Sequence, residues 1–492
     1  MGKKFFILGA ILIFSLILRV YKINSLPMYG DELTLAYDSY SILKTGKDQT
    51  GHFLPITFPM RGRTPGGYVY FSLPAVFLFG PTSLGVRALS LFSGLGIILL
   101  CYFLGKRIFN EKVGLLASFI AAISPWEIYL SRGGFETHFA LFLALLGVTA
   151  FLYAKGKNWL YLIWAVSWGL AIHTYPTFKL TLPLLFLILL WYQSGFRNFI
   201  KNKLFITSVL ILALFGAISL KETFFSNSEE RFLSINIFAN KDLKESIIQR
   251  VNSERTISTF PDPLKPIFIN KQIEYARILS ENYIKNLSPN FLYLRGDGNP
   301  RHNPGEMGML YLVEFPLLFV AIINLWKENK KNFGLLIFWI LIVPLATMLF
   351  DETHGLRNAF MLPPFILLAS YALTKIERRF LGVAFFLILT QCVYILARIY
   401  FIAPAKFASF WSSDAKKASF LAMEKKNKYE SIYLSKSIDN IEYAYPVYAK
   451  IDPNDVIAQY GREVKEFGNV KIIDIKDIDP KSVNKNTLVI SK

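Results

Sequence analysis

The sequence predicts an all-α polytopic membrane protein of about eleven transmembrane helices, followed by a small C-terminal α/β domain. Three observations carry this. Hydrophobic residues make up 53% of the 492-residue chain and aromatic residues 16%. They fall in long runs near the roughly twenty residues that cross about 30 Å of hydrocarbon. Those runs are continuous rather than alternating, which disfavours a barrel, and basic residues gather in every second connection between them, as orientation in a membrane requires.

The spans read from the sequence are 5–20, 82–104, 113–125, 137–154, 159–175, 178–193, 204–221, 309–326, 333–350, 358–374 and 380–401. Lys3/Lys4, Lys106/Arg107/Lys112, Lys155/Lys157, Arg197/Lys201/Lys203, Lys327/Lys330/Lys331 and Lys375/Arg378/Arg379 all land on one side. That side is cytoplasmic, with the N-terminus on it, and the expected location is the plasma membrane. The opening Lys3-Lys4 and apolar run are followed by Arg19-Val20-Tyr21-Lys22 rather than by a small-residue cleavage site, so the first run is read as a retained span. Lys and Arg number 54 against 35 Asp and Glu, a net +19. In a soluble chain that excess would point to nucleic acid. Here much of it sits in short loops, so no nucleic-acid partner is expected, and the remainder suits an anionic substrate. Cys101 and Cys392 lie inside apolar runs, which leaves no disulfide framework.

Residues 1–401 therefore form the membrane domain, with long outer segments at 21–81 and 222–308, and residues 402–492 form an extracytoplasmic α/β domain. In the latter a helical run Ser412–Lys426 precedes strand-like runs at Ser431–Ser435, Val470–Ile475 and Thr487–Ser491. Asp452-Pro453-Asn454-Asp455 opens a helix expected to reach Val464, with Asn454 or Asp455 as its cap. There is no internal repeat and no low-complexity tract.

No nucleophile elbow, phosphate-cradling glycine loop, paired-histidine metal motif or CxxC is present. Gly66-Gly67 and Gly133-Gly134 read as turns or close packing points. The informative stretch is Met28-Tyr29-Gly30-Asp31-Glu32-Leu33, which emerges just beyond the first span. Carboxylates at a membrane face are costly unless solvated or paired, so Asp31 and Glu32 are candidate functional groups. The plainer alternative is a solvated loop acid capping a helix over Leu33–Lys44. Further ionisable residues gather at the same outer level. Arg61 and Arg63 precede Pro65-Gly66-Gly67-Tyr68, Arg87 opens the second span, and Arg132 follows the third. Glu136 and His138 open the fourth, His173 and Lys179 flank the turn after the fifth, and His354 and Arg357 join the ninth to the tenth. Singly, each has a bland reading as a snorkelling cation, a packing histidine or a loop charge. Together, so many cations at one level suit a phosphate, whose oxygens guanidinium groups bind in forked pairs.

These residues also carry a resemblance. Gly30-Asp31-Glu32, Arg63-Thr64-Pro65-Gly66-Gly67-Tyr68, Val86-Arg87-Ala88-Leu89-Ser90, Leu104-Gly105-Lys106-Arg107-Ile108-Phe109, Ala122-Ile123-Ser124-Pro125-Trp126 and Ser131-Arg132-Gly133-Gly134-Phe135-Glu136 follow one another over residues 1–190. In that order they resemble the C-type (GT-C) glycosyltransferases that use polyprenyl-phosphate sugars, in the branch of protein O-mannosyltransferases and lipid A aminoarabinose transferases. The resemblance implies a GT-C-like membrane fold and transfer of a sugar from a polyprenyl-phosphate donor to an acceptor hydroxyl. By it, Asp31 is the general base and Arg63 and Arg87 hold the carrier phosphate, while Glu136 stands where relatives often have Asp and helps position acceptor or sugar. Arg61, Tyr68, Arg132, His173, Lys179, His354 and Arg357 join the substrate-binding set, and Glu32 orients the loop or binds a hydroxyl. His173-Thr174-Tyr175-Pro176 departs from the Thr-Lys-Gly run of the aminoarabinose enzymes, so neither sugar nor acceptor, whether protein, lipid or glycan, follows. A divalent metal at Asp31 and Glu32 is compatible with the pattern but not required. The competing readings are a transporter or flippase of an anionic lipid, which also uses cations in the membrane, and a receptor or scaffold, which leaves the acidic stretch unexplained.

Overall fold

The computed structural model describes residues 2–59, 64–193, 199, 201–225, 236–474, 476 and 486–492, and is mostly helical with a small C-terminal sheet. The chain divides into two compact units. Met1–Gly96, Glu127–Phe139 and Val393–Lys492 form the first, and Ile97–Trp126 with Ala140–Cys392 form the second. The segment expected to stand apart from 402 onward thus groups with the N-terminal helices.

In the first unit, α1 (Gly2–Val20) leads through a turn into α2 (Gly30–Thr45), a short hairpin of β1 (Thr57–Phe58) and β2 (Thr64–Pro65), α3 (Gly67–Phe79) and the first part of α4 (Ser83–Ile108). Segment 21–81, expected as an outer loop, therefore carries two helices, α2 and α3. Tyr29 occupies the N-cap of α2, so Asp31 and Glu32 lie inside the first helical turn and neither is the capping acid. That turn is where unpaired amides and the helix dipole favour negative charge. α2 ends at Gly46, whose φ of +72° a side chain would strain, and its N–H closes on the Ile42 carbonyl.

The C-terminal part of this unit has strands β3 (Ser431–Ser435), β4 (Lys465–Phe467), β5 (Val470–Ile473) and β6 (Thr487–Ile490). Their order is β4-β5-β3-β6, with β3 parallel to both neighbours and β4 antiparallel at the edge. Ile432, Leu434, Val470 and Ile472 are fully buried, and helices Ser413–Lys425 and Ile441–Tyr448 pack against one another beside the sheet. The helix expected over 452–464 stops at Ala458, because the chain turns at Gly461 (φ +76°) to supply β4. Its cap is Asp452, whose carboxylate accepts from the Asn454 amide at 2.8 Å. Helix Ile441–Tyr448 is hidden in the sequence by its internal Pro446.

The second unit holds α5 (Glu111–Ile123), most of α7 (Glu136–Tyr153), α8 (Leu160–Ile172), α9 (Phe178–Gln193) and the helices Lys203–Phe225, Glu314–Glu328, Lys330–Ile342 and Leu362–Leu373. Its core is aromatic: Trp164 stacks on Phe186 at 5.0 Å and on Phe205 at 5.9 Å between ring centroids. The polar insertion is itself helical. Lys241–Ile257 and Lys271–Asn286 are capped by Asn240 and Asn270 and close over Ile237, Ile247, Val251 and Ile278.

Five helices are long and apolar enough to cross a membrane among the described residues: Ser83–Ile108, Glu136–Tyr153, Lys203–Thr223, Lys330–Thr347 and Arg378–Lys406. A sixth span results if α5 and α6 (Pro125–Ser131) are taken together. This is fewer than the eleven expected. Of the expected spans, Leu160–Ile172, Phe178–Gln193 and Ala359–Leu373 are apolar but none exceeds 17 residues, and Glu314–Glu328 has 15, so at about 1.5 Å per residue each falls short of the hydrocarbon thickness, while Gly2–Val20 is long enough but carries Lys3, Lys4 and Arg19. The long helices differ in surroundings. Glu136–Tyr153 is 78% buried by protein over its apolar window, whereas Lys203–Thr223 is 17% and Arg378–Lys406 22% buried, so the last two carry the broad apolar outer surface.

Candidate functional site

The acidic stretch is held by a buried clasp in the first unit. Glu32 is fully buried, and the Arg87 guanidinium grips both its oxygens, Nε to Oε1 and Nη2 to Oε2, each at 2.7 Å. The other Arg87 donors go to backbone: Nη1 to the carbonyls of Ile23 (2.6 Å) and Leu26 (3.0 Å), Nη2 to Pro27 (2.9 Å). Thus α4 fixes both the turn after α1 and the first turn of α2. The Gly134 amide donates to Glu32 Oε1 at 2.7 Å. A Cβ at Gly134 would stand 3.1 Å from Glu32 Cγ and 3.2 Å from Val86 Cγ2, so a glycine suits this approach.

The clasp brings two half-buried acids into one neighbourhood. Asp31 adjoins Glu32 in α2, and Glu136 lies two residues beyond Gly134 in the first turn of α7. Tyr68 is fully buried behind them, its hydroxyl donating to the Val86 carbonyl at 2.7 Å and lying 2.9 Å from Ser90 Oγ.

Two expected phosphate ligands are placed elsewhere by this geometry. Arg87, with its donors on Glu32 and three carbonyls, is a bracing residue. Arg132 serves the end of α1: Nη1 donates to the carbonyls of Arg19 and Tyr21, both at 2.7 Å, and of Leu18 at 3.3 Å, and Nη2 to Lys22 at 3.0 Å. Helix C-termini leave their last carbonyls without partners, and a cation there meets both the hydrogen-bond need and the dipole. The metal considered at Asp31 and Glu32 is also disfavoured, since both Glu32 oxygens are taken. Arg61 and Arg63 lie outside the described residues.

A second buried cluster surrounds His138, the one member of it read from the sequence among the outer-level ionisable residues. Arg19 pairs with Glu127 Oε2 and donates to Ser15 Oγ at 2.5 Å, and His138 Nε2 lies 3.2 Å from Glu127 Oε1. Glu127 follows directly on Ala122–Trp126, and a carboxylate in so apolar a stretch was the available signal. In α2, burial first and then the nearby Asp48 charge push the Asp38 carboxyl up to about 7, against the pull of the Gln49 amide 3.0 Å away.

The remaining candidates belong to the second unit. His173 Nε2 meets the Phe215 carbonyl at 3.0 Å, and Lys179 donates to Thr223 Oγ1 at 2.8 Å. The Arg357 guanidinium lies over the Phe350 ring, 3.8 Å from its centroid. His354 stands beside Asp297 and His302, neither of which was singled out in the sequence. Burial pushes the Asp297 carboxyl up, but the His302 hydrogen bond and the charges of both histidines outweigh it and hold the group below its ordinary range.

Residues 67–219 match the family described as Dolichyl-phosphate-mannose-protein mannosyltransferase. No curated protein matches. Among solved structures the chain resembles ArnT from Cupriavidus metallidurans in the apo state, at 11% identity and a TM-score of 0.55, covering 90% of this chain and 84% of that one. The same protein bound to undecaprenyl phosphate gives 11% identity and a TM-score of 0.56, covering 90% and 85%. The archaeal oligosaccharyltransferase AglB from Archaeoglobus fulgidus, in complex with an inhibitory peptide and a dolichol-phosphate, gives 11% identity and a TM-score of 0.51. That match covers 91% of this chain, which spans 64% of the AglB chain. The match over 67–219 bears out the resemblance to the mannosyltransferases, and the fold is shared with ArnT and AglB.

Proposed function

We propose that this protein is a membrane glycosyltransferase that moves a sugar from a polyprenyl-phosphate donor to an acceptor hydroxyl, with Asp31 as the general base. The observation that carries the reading is the Glu32–Arg87–Gly134 clasp. It spends a buried ion pair on holding the first turns of α2 and α7, and so fixes where Asp31 and Glu136 stand. The kind of donor is supported by the match over 67–219 and by the undecaprenyl phosphate and dolichol-phosphate bound in the ArnT and AglB structures.

The reaction is a single displacement. Asp31 takes the proton of the acceptor hydroxyl as its oxygen bonds to the anomeric carbon. The bond from that carbon to the phosphate oxygen breaks, and the polyprenyl phosphate leaves with the electron pair. One base suffices and the anomeric centre inverts. A positioned base contributes roughly 10²–10⁴-fold. Glu136 orients the acceptor or a sugar hydroxyl. With Arg87 committed to Glu32, Arg63 and Arg61 are the residues proposed to hold the carrier phosphate, whose oxygens guanidinium groups bind in forked pairs.

The test is purified Asp31→Asn with a radiolabelled polyprenyl-phosphate sugar and a membrane extract. The variant is expected to keep the melting temperature of the parent and to lose transfer by at least a hundredfold. Turnover equal to the parent removes Asp31 as the base. Label that crosses the bilayer unchanged, without a new product, replaces the transferase with a transporter.

A further inference from the structure

We propose that Asp297, His302 and His354, all from the second unit, form a binding site for a divalent transition metal of the Zn²⁺ class. The two histidines come from separate stretches of the second unit and converge on one carboxylate oxygen. His302 Nδ1 lies 2.9 Å and His354 Nδ1 4.0 Å from Asp297 Oδ2. All three ligand atoms fall within 4.8 Å of one another. Four ligands around zinc with bonds of 2.0–2.2 Å are separated by roughly 3.4 Å, so these separations bracket a single ion with small side-chain adjustments. The two imidazole rings lie side by side, 4.3 Å apart between centroids and tilted by 37°.

The surroundings are built to hold the carboxylate. Its Oδ1 accepts from the Asn299 amide at 2.8 Å and its Oδ2 from the Gly355 amide at 2.6 Å. The carbonyl of that same Gly355 accepts from Trp126 Nε1 at 3.0 Å, so the residue next to His354 is fixed through both its backbone groups. A Cβ at Gly355 would stand 2.7 Å from Met309 Cε and 3.3 Å from Asp297 Oδ2. On the other side Asn303 ties the loop across itself, donating to the Met307 carbonyl at 2.7 Å and the Arg295 carbonyl at 3.3 Å. Oriented ligands of this kind distinguish a metal site from a chance cluster. The side chains of Asp297 and His302 are 3% and 7% exposed and that of His354 is 19% exposed, leaving an entry path on the His354 side.

The donor set selects the ion. Two imidazoles and one carboxylate suit zinc and its neighbours, whereas magnesium and calcium call for oxygen ligands throughout. Three protein ligands leave one position for water or a substrate oxygen. The ion would cross-link the loop at 297–302 to the segment at 354–355.

The test uses the full chain purified in detergent, stripped with a chelator and titrated with zinc chloride. Metal content and melting temperature are read together. The expected result is one zinc per chain and a melting temperature several degrees above the stripped protein. His302→Ala and His354→Ala are each expected to weaken zinc binding by at least tenfold, as the parent-like control His52→Ala does not. His354 is the most exposed of the three, so His354→Ala keeps the test open should the other variant fail to fold. Absence of saturable zinc binding overturns the site, and so does unweakened binding in His354→Ala. Transfer activity enters neither readout, so this result and that of Asp31→Asn stand apart.

Discussion

At the residue scale, the decisive exchange of roles is between Arg87 and Glu32. From the sequence, Arg87 is one more cation at the outer level, and nothing in it reveals a partner 55 residues earlier. Chain order records the depth of a charge but not what it faces. The acid itself was legible because it stood where a carboxylate is costly. Its fate was not, because the pairing needs the turn 23–27 and the amide of Gly134 to be brought in from either side. Glu32→Gln separates the two readings of Arg87. Removing the charge leaves a buried guanidinium uncompensated, a loss of about 3–5 kcal/mol, so the melting temperature is expected to fall by several degrees with donor affinity unchanged. Were Arg87 a phosphate ligand restrained by Glu32, the same change would free it and tighten donor binding. Isothermal titration with a short-chain polyprenyl phosphate reads the difference.

At the scale of elements, glycine spacing was the part of the sequence that could be seen but not interpreted. Gly94 sits within the long apolar helix α4, where a residue of such low helix propensity needs a reason. The reason is the Arg19–Glu127 pair. A Cβ at Gly94 would lie 2.7 Å from Glu127 Oε1, 2.9 Å from Ser131 Cβ and 3.3 Å from Arg19 Nε. Gly9 in α1, by contrast, has nothing within 4 Å of that position. Gly94→Ala is expected to cost roughly 1–3 kcal/mol through overpacking. Gly9→Ala is expected to be neutral or to stabilise by up to about 1 kcal/mol through helix propensity alone. Thermal melts of the two variants in one detergent check this, and equal shifts would remove the steric account of Gly94. The same scale explains the span count. The apolar helix Gly67–Phe79, with Pro74 inside it, lies in a segment read as an outer loop, and composition does not say how long each apolar helix persists, as in Phe178–Gln193 with its internal Pro183.

At the scale of the whole molecule, composition changes near residue 402, and three of the four strands beyond it, β3, β5 and β6, match those read from the sequence, while the edge strand β4 does not appear among them. What composition hides is that the chain returns. Helix α2 is covered by the C-terminal segment: the Tyr37 hydroxyl donates to the Ile451 carbonyl at 2.8 Å, and Trp411 packs edge-on against Tyr29 at 5.3 Å between centroids. Trp411 also lies 5.6 Å from the Arg87 guanidinium, so the clasp under Asp31 is roofed by a residue some 320 positions later. A tail that closes the site it follows cannot be removed as an appendage. The chain truncated to residues 1–401 would expose Tyr29, Tyr37 and one face of α2, which are 4%, 2% and largely buried in the intact protein, and would open the Glu32–Arg87 pair to solvent. Exposure weakens a buried pair toward the 0–1 kcal/mol of a surface one. The truncated chain is therefore expected to lose its monodisperse peak on size exclusion or to melt well below the parent, and to show no transfer even with Asp31 intact. A truncated chain that melts with the parent would make residues 402–492 an independent domain and return the acidic stretch to an open face.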